Sequence, residues 1–233
     1  GDKTNAVNTL VSAGLIVAYG GSGTLTVVYN SVSGDTVVTA QPPLITVSFT
    51  SVAAEDGYVT ESTETSNVGN AMNATDSTTS ALRIGDTTKK FQMKSVVSFD
   101  TASIPDGAVI QSATLKLLRG TVSGTPTTLG AIRVDIQSGS GFSNSVALQT
   151  GDFQASASAT NVATLSYPAS NGTWSTGSVS TNGLTHVNKT GKTQLRVYFA
   201  TDDDNDGTAD YLGFYSAENA TTTNRPVLEV IYR

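Results

Sequence analysis

Apolar and polar residues alternate along most of this chain in short runs separated by Gly, Asn, Asp and Ser. Successive side chains of an extended strand point to opposite faces, so this period of two predicts many short β-strands and little helix. From Phe91 to Phe99 the set Phe91, Met93, Ser95, Val97 and Phe99 opposes Gln92, Lys94, Val96 and Ser98, which predicts one core-facing side. Ala113, Leu115 and Leu117 oppose Thr114 and Lys116; Ile132, Val134 and Ile136 oppose Arg133, Asp135 and Gln137; Leu195, Val197 and Phe199 oppose Arg196 and Tyr198. All three read as half-buried strands of antiparallel sheets with one wet face. A last strand, Val227 to Tyr232, follows Pro226, which a strand tolerates at its start because no ladder donor is needed there. A short helical turn is expected near Thr181 to Asn188. The pattern predicts an all-β, jelly-roll-like antiparallel β-sandwich over residues 44–233.

Residues 1–43 differ in texture. An apolar run from Val7 to Tyr19 is followed by Gly20-Gly21-Ser22-Gly23, strands at Thr24 to Tyr29 and Thr36 to Ala40, and the boundary-marking Pro42-Pro43. In extended form the run places Val11, Ala13, Leu15, Val17 and Tyr19 on one face, and Leu10, Ser12, Gly14, Ile16 and Ala18 on the other. A bare apolar strand at a sheet edge invites aggregation, so it needs cover. It either folds back on its own chain or inserts into a neighbouring subunit by strand addition. A head-to-tail contact of the second kind does not close, and it would propagate into a homopolymer.

With 233 residues the chain can fill one large sandwich, with or without a small extra element. Ser and Thr make up about a quarter of it and charged residues only 14%, a surface of hydroxyls and amides that suits an extracellular β-protein. The net charge of -6 opposes binding to phosphate backbones, which excludes nucleic acid as a partner. There is no cysteine, so disulfides, thiolate nucleophiles and sulfur-ligated metals are excluded. No apolar run is long enough to span a membrane, and the start at Gly1, without a basic n-region, reads as a processed mature form.

The strongest chemical signal is Asp202-Asp203-Asp204-Asn205-Asp206-Gly207-Thr208-Ala209-Asp210, with the spacing D-x-D-x-D-G-x-x-D. In calcium loops, carboxylates at positions 1, 3 and 5 converge on one hard cation, Gly at 6 turns the chain, 7 offers its carbonyl, and 9 adds a ligand directly or through water. These positions are Asp202, Asp204, Asp206, Gly207, Thr208 and Asp210, and they predict a structural Ca2+ site between two strands. Position 12, a bidentate Glu in the EF-hand, is Gly213 here, so either the affinity is modest or another ligand comes from elsewhere.

Nothing assembles a catalytic set. His186 is the only histidine, no nucleophile motif accompanies it, and Glu61 with Glu64 or Asp100 with Asp106 read as turn and surface residues rather than a glycosidase pair. The expectation is a non-enzymatic protein. The lone Trp174 could stack on a sugar, although packing accounts for it as well, and Tyr211, Phe214 and Tyr215 share that ambiguity. Asn73, Asn171, Asn188 and Asn219 head N-x-Ser/Thr sequons and are candidate glycosylation sites.

Five landmarks recur in order. They are Glu55-Asp56-Gly57-Tyr58-Val59; Leu82-Arg83-Ile84-Gly85; Ser95-Val96-Val97-Ser98-Phe99-Asp100 leading into Ile104-Pro105-Asp106-Gly107-Ala108; Ala113-Thr114-Leu115-Lys116-Leu117; and Arg225-Pro226-Val227-Leu228-Glu229-Val230. By their order and spacing, residues from about Val47 to Arg233 resemble the DNRLRE family of extracellular β-sandwich domains. The resemblance implies a jelly-roll-like sandwich in a secreted or cell-surface setting, with some relatives that bind carbohydrate. Two functions are therefore expected: a structural subunit of an extracellular filament or layer, linked by its N-terminal strand, or a carbohydrate-binding module or adhesin domain that takes glycans.

Overall fold

The computed structural model describes residues 25–31 and 34–233, and for residues 25–40 it describes the backbone alone. The apolar run carrying Val11, Ala13, Leu15, Val17 and Tyr19 lies outside the described residues. Strands β1 (Leu25–Ser31) and β2 (Gly34–Ala40) form a separate antiparallel hairpin in which Leu25 faces Ala40. This matches the two strands expected there.

The rest is an antiparallel sandwich, as the alternation predicts. One layer runs β11 (Trp174–Ser178), β8 (Ile110–Ser123), β14 (Val227–Tyr232) and β3 (Ile45–Thr50). The other runs β10 (Ala159–Leu165), β9 (Ile132–Ser138), β12 (Lys192–Phe199), β7 (Met93–Asp100), β4 (Gly57–Glu61) and β5 (Gly69–Asn73). The 14-residue β8 is long enough to serve both layers. Its first half pairs with β11 and β14, and its second half pairs with β13 (Tyr211–Phe214), which passes through β6 (Leu82–Gly85) to β7. One hydrogen-bonded sheet thus curls into two facing layers.

Between them lies a core of Phe49, Leu115, Leu117, Leu228 and Val230 from the first layer against Val97, Phe99, Val134, Leu195, Val197 and Phe199 from the second. Shaving one of the fully buried Phe side chains to Ala would cost about 3–5 kcal/mol. The predicted pattern in β8 holds, with Ala113, Leu115 and Leu117 buried and Thr114 and Lys116 partly exposed. The C-terminal strand has the expected bounds, and the helical turn is a single turn, α1 (Thr181–Leu184).

The second layer departs from expectation, because its outer face is not wet. Val59, Val96, Phe142, Leu148 and Phe153 form a second apolar cluster, two of them from the strands and three from the segment joining β9 to β10. That segment covers β7, β9 and β12, so both faces of β7 are buried, as are Asp135 and Arg196, which alternation alone places in solvent. The two charges answer each other: Arg196 Nη2 donates to Asp135 Oδ2 at 2.6 Å, and Tyr198 Oη donates to Oδ1 at 3.0 Å. Arg196 Nη1 also donates to the carbonyls of Asp152 and Ala155, both at 2.8 Å, tying the covering segment to the sheet. Lys94 lies over the Phe153 ring, 3.9 Å from its centre, and burial followed by the Arg196 charge pushes its ammonium down to about 8.

Candidate metal centre

The acidic loop joins β12 to β13, as the sequence predicts. It is built from side chains that turn back on the backbone two residues later: Asp203 Oδ1 accepts from Asn205 N at 2.8 Å, Asp204 Oδ1 from Asp206 N at 3.3 Å, and Asp206 Oδ1 from Thr208 N at 2.5 Å. Asx turns of this kind wind the chain tightly, helped by the left-handed backbone of Asn205 and Gly207, at φ 67° and 74°. At Gly207 a side chain would meet open space, so the glycine is required by conformation and not by room.

The winding brings Asp204, Asp206 and Asp210 together, each offering a carboxylate oxygen within 4.8 Å of the others. Asp202 falls outside this trio and accepts a bond from Asp203 N, while Asp203 is turned inward and buried. Thr208 has the position-7 place and would contribute through its carbonyl. Gly213 is locked inside β13 opposite Arg83 and Thr121, where an added Cβ would meet Ser80, so it stands apart from any ligand shell.

Asp210 is the anchor. It is only 1% exposed, its Oδ1 accepts from Thr125 N, and its Oδ2 is buried without a hydrogen-bond partner among the described residues. An ionised oxygen left so is costly unless a cation or proton answers it. Three other residues fix Asp210 or its neighbour Asp204, and sequence reasoning missed all of them. Asp86, at the end of β6, accepts from Asp210 N at 2.9 Å while its own N donates to the Asp210 carbonyl at 2.9 Å. Gly124, with φ 58°, leaves the space that a Cβ would take from the Asp210 carboxylate. Thr128 Oγ1 donates to Asp204 Oδ2 at 2.7 Å.

The electrostatics follow the crowding. Burial pushes the Asp86 carboxyl up to about 6, and the charges of Asp210 and Asp204 add to the rise. Burial likewise raises Asp203, with the Asp202 charge a lesser contributor, whereas the Thr128 hydrogen bond lowers Asp204. A divalent cation among the trio would relieve this repulsion. The residues fit a hard, oxygen-preferring ion such as calcium, with the trio supplying three of its 6–8 usual oxygens and water or carbonyls the rest.

The remaining candidates disperse. His186, just past α1, lines an open cavity of about 310 Å³ with Asp106, Ser138 and Lys189. Glu61 is buried rather than on the surface, because its carboxylate caps a turn by accepting from Asn67 N at 2.6 Å and Gln92 N at 3.2 Å. Glu64 pairs with Lys90, and Asp100 with Lys192. Phe214 is core, and Tyr211 and Tyr58 sandwich the Arg83 guanidinium, each ring centre 5.2 Å away. Trp174 is half-buried on β11 opposite Leu118.

All four sequons fall in turns or at strand ends. Asn73 Oδ1 accepts from Thr75 N, and Asn171 Oδ1 from Arg119 Nε. The Nδ2 groups of Asn188 and Asn219, to which a glycan would attach, already bond the carbonyls of Lys192 and Ser77.

Sandwich and acidic loop together define an all-β protein with a candidate structural cation site. No family model and no curated protein matches the chain.

Proposed function

We propose that the protein is a structural subunit of an extracellular filament or surface layer, in which an N-terminal strand of one copy adds to a sheet edge of the next. The observation that carries this reading is the edge strand β3. It pairs with β14 on one side, and among the described residues no strand pairs with its other side. At the start of β3, Leu44 and Ile45 are 60% and 47% exposed, directly after Pro42 and Pro43 end the N-terminal extension. An unprotected edge with apolar residues is a template for another strand, and the run from Val11 to Tyr19 has the alternation such a strand needs. In this reading the sandwich is a DNRLRE-like bead without enzymatic activity, and calcium stiffens the loop between β12 and β13. Among the described residues no helix is long and apolar enough to cross a membrane.

A second reading, a carbohydrate-binding module, draws on Trp174. It shares the outer face of the β11–β8–β14–β3 layer with Thr176 and Lys116, an aromatic beside polar groups on a sheet face that could meet a sugar.

Negative-stain microscopy of the full chain beside a version lacking residues 1–20 separates the two. Fibres or sheets that form only with the segment support the subunit. Single particles in both samples, together with binding on a glycan array that is lost in Trp174→Ala, would replace it with the carbohydrate module.

A further inference from the structure

A second group of carboxyls lies away from the acidic loop, where the turn between β3 and β4 meets the β13–β14 connection. Asp56 follows the 3-10 turn Ala53–Glu55 and is 0% exposed. Its Oδ2 accepts from Ser51 Oγ at 2.8 Å and from Ala217 N at 3.0 Å, so one carboxylate holds both connections. Its Oδ1 is buried and, among the described residues, has no hydrogen-bond partner. The neighbouring acid is Glu218, whose Oε2 is also buried and without a partner. Two orphaned carboxyl oxygens on adjacent acids are both satisfied by a single proton, which makes one a donor and leaves the other the acceptor.

We propose that Asp56 and Glu218 share one proton and form a clamp between the β3–β4 turn and the β13–β14 connection that holds in acid and neutral solution and opens in alkali.

The other charged groups nearby are engaged elsewhere. Glu55 accepts from Ser98 Oγ at 2.5 Å and pairs with Lys192 at 3.5 Å. Asp76 gives its carboxylate to Thr78 N and its carbonyl to Ser216 Oγ, and Arg225 donates to the Asn219 carbonyl. Among the described residues no cation is thus paired with the two acids, and the proton is the neutraliser at hand. Burial pushes the Asp56 carboxyl up to about 8; the Glu218 charge adds to the rise, and the bonds from Ala217 and Ser51 oppose it. A raised folded-state value means that the protonated fold is favoured. The clamp's stability is complete below the ordinary aspartate value of 3.8 and is lost as pH climbs through about 8. Beside it, the connection is also held by Ser51 N donating to the Pro226 carbonyl at 3.1 Å, so deprotonation loosens one end of the sandwich without dismantling the sheet.

The test compares thermal melting of the full chain with Glu218→Gln and Asp56→Asn at about pH 6 and about pH 9, in chelator so that the acidic loop is uniform. Either amide supplies permanently the hydrogen that the shared proton supplies. The wild type should lose on the order of 5 °C relative to each variant on going from about pH 6 to about pH 9. Lys94, whose depressed value acts in the opposite direction between about 8 and 10.5, is common to all three proteins and cancels. A difference between wild type and Glu218→Gln that is the same at both pH values would overturn the clamp. Glu218 is only partly buried, so this variant keeps the test decisive even if Asp56→Asn fails to fold.

Discussion

Carboxylates sit in contrasting surroundings in two regions of the molecule, beneath the covering segment and in the acidic loop. Under the β9–β10 segment, Asp135 meets a guanidinium that also carries two backbone carbonyls at 2.8 Å, so its counter-charge is built into the chain. In the β12–β13 loop, Asp204, Asp206 and Asp210 face one another, and no counter-charge lies in the trio. The first arrangement is complete at folding; the second, in the proposed reading, is completed by an ion. The contrast teaches that burial alone does not reveal a carboxylate's role. What separates the two is whether the last oxygen has a donor, as both oxygens of Asp135 do and Asp210 Oδ2 does not.

The largest effect is expected where the counter-charge is covalently fixed. Arg196→Met leaves Asp135 buried and unpaired and frees the covering segment. It should cost about 3–5 kcal/mol of stability, equally with calcium and with chelator, as read by urea unfolding. A penalty that calcium repairs would erase the distinction between the two regions. Next is Asp210→Asn, which keeps an acceptor for Thr125 N but removes one charge from the trio. It should melt at or above the wild type in chelator, because repulsion is relieved, and lose most of the calcium-induced rise in melting temperature. The smallest effect belongs to Thr128→Val, which deletes the 2.7 Å bond to Asp204. Loss of one hydrogen bond to a charged group should weaken calcium binding by about tenfold in a calorimetric titration and leave Arg196-dependent stability unchanged.

Much of the architecture was legible from alternation. β14 begins and ends where the pattern places it, and β8 buries the three residues that face inward by period two. Alternation specifies two faces and is silent about what covers each one. Asp135, Arg196 and Val96 were therefore misplaced, because the segment that buries them is itself irregular and carries no period. The acidic loop was legible because its ligands are consecutive in the chain. Its supports were not: Asp86 reaches Asp210 across 124 residues, and Asp56 reaches Ala217 across 161, separations over which a single sequence carries no local signal. Gly85 and Gly124 were the one clue available, since both adopt left-handed backbone to clear Asp210, yet a glycine in sequence does not say which neighbour it clears.

Isothermal calorimetry of the full chain with calcium, beside melting curves in calcium and in chelator, tests most directly that the β12–β13 loop is completed by a cation. The account predicts saturable binding at one site and a melting temperature that rises with calcium in the wild type but hardly at all in Asp210→Asn. No heat of binding and superimposable melting curves would contradict it, and would leave the trio as a solvated acidic turn.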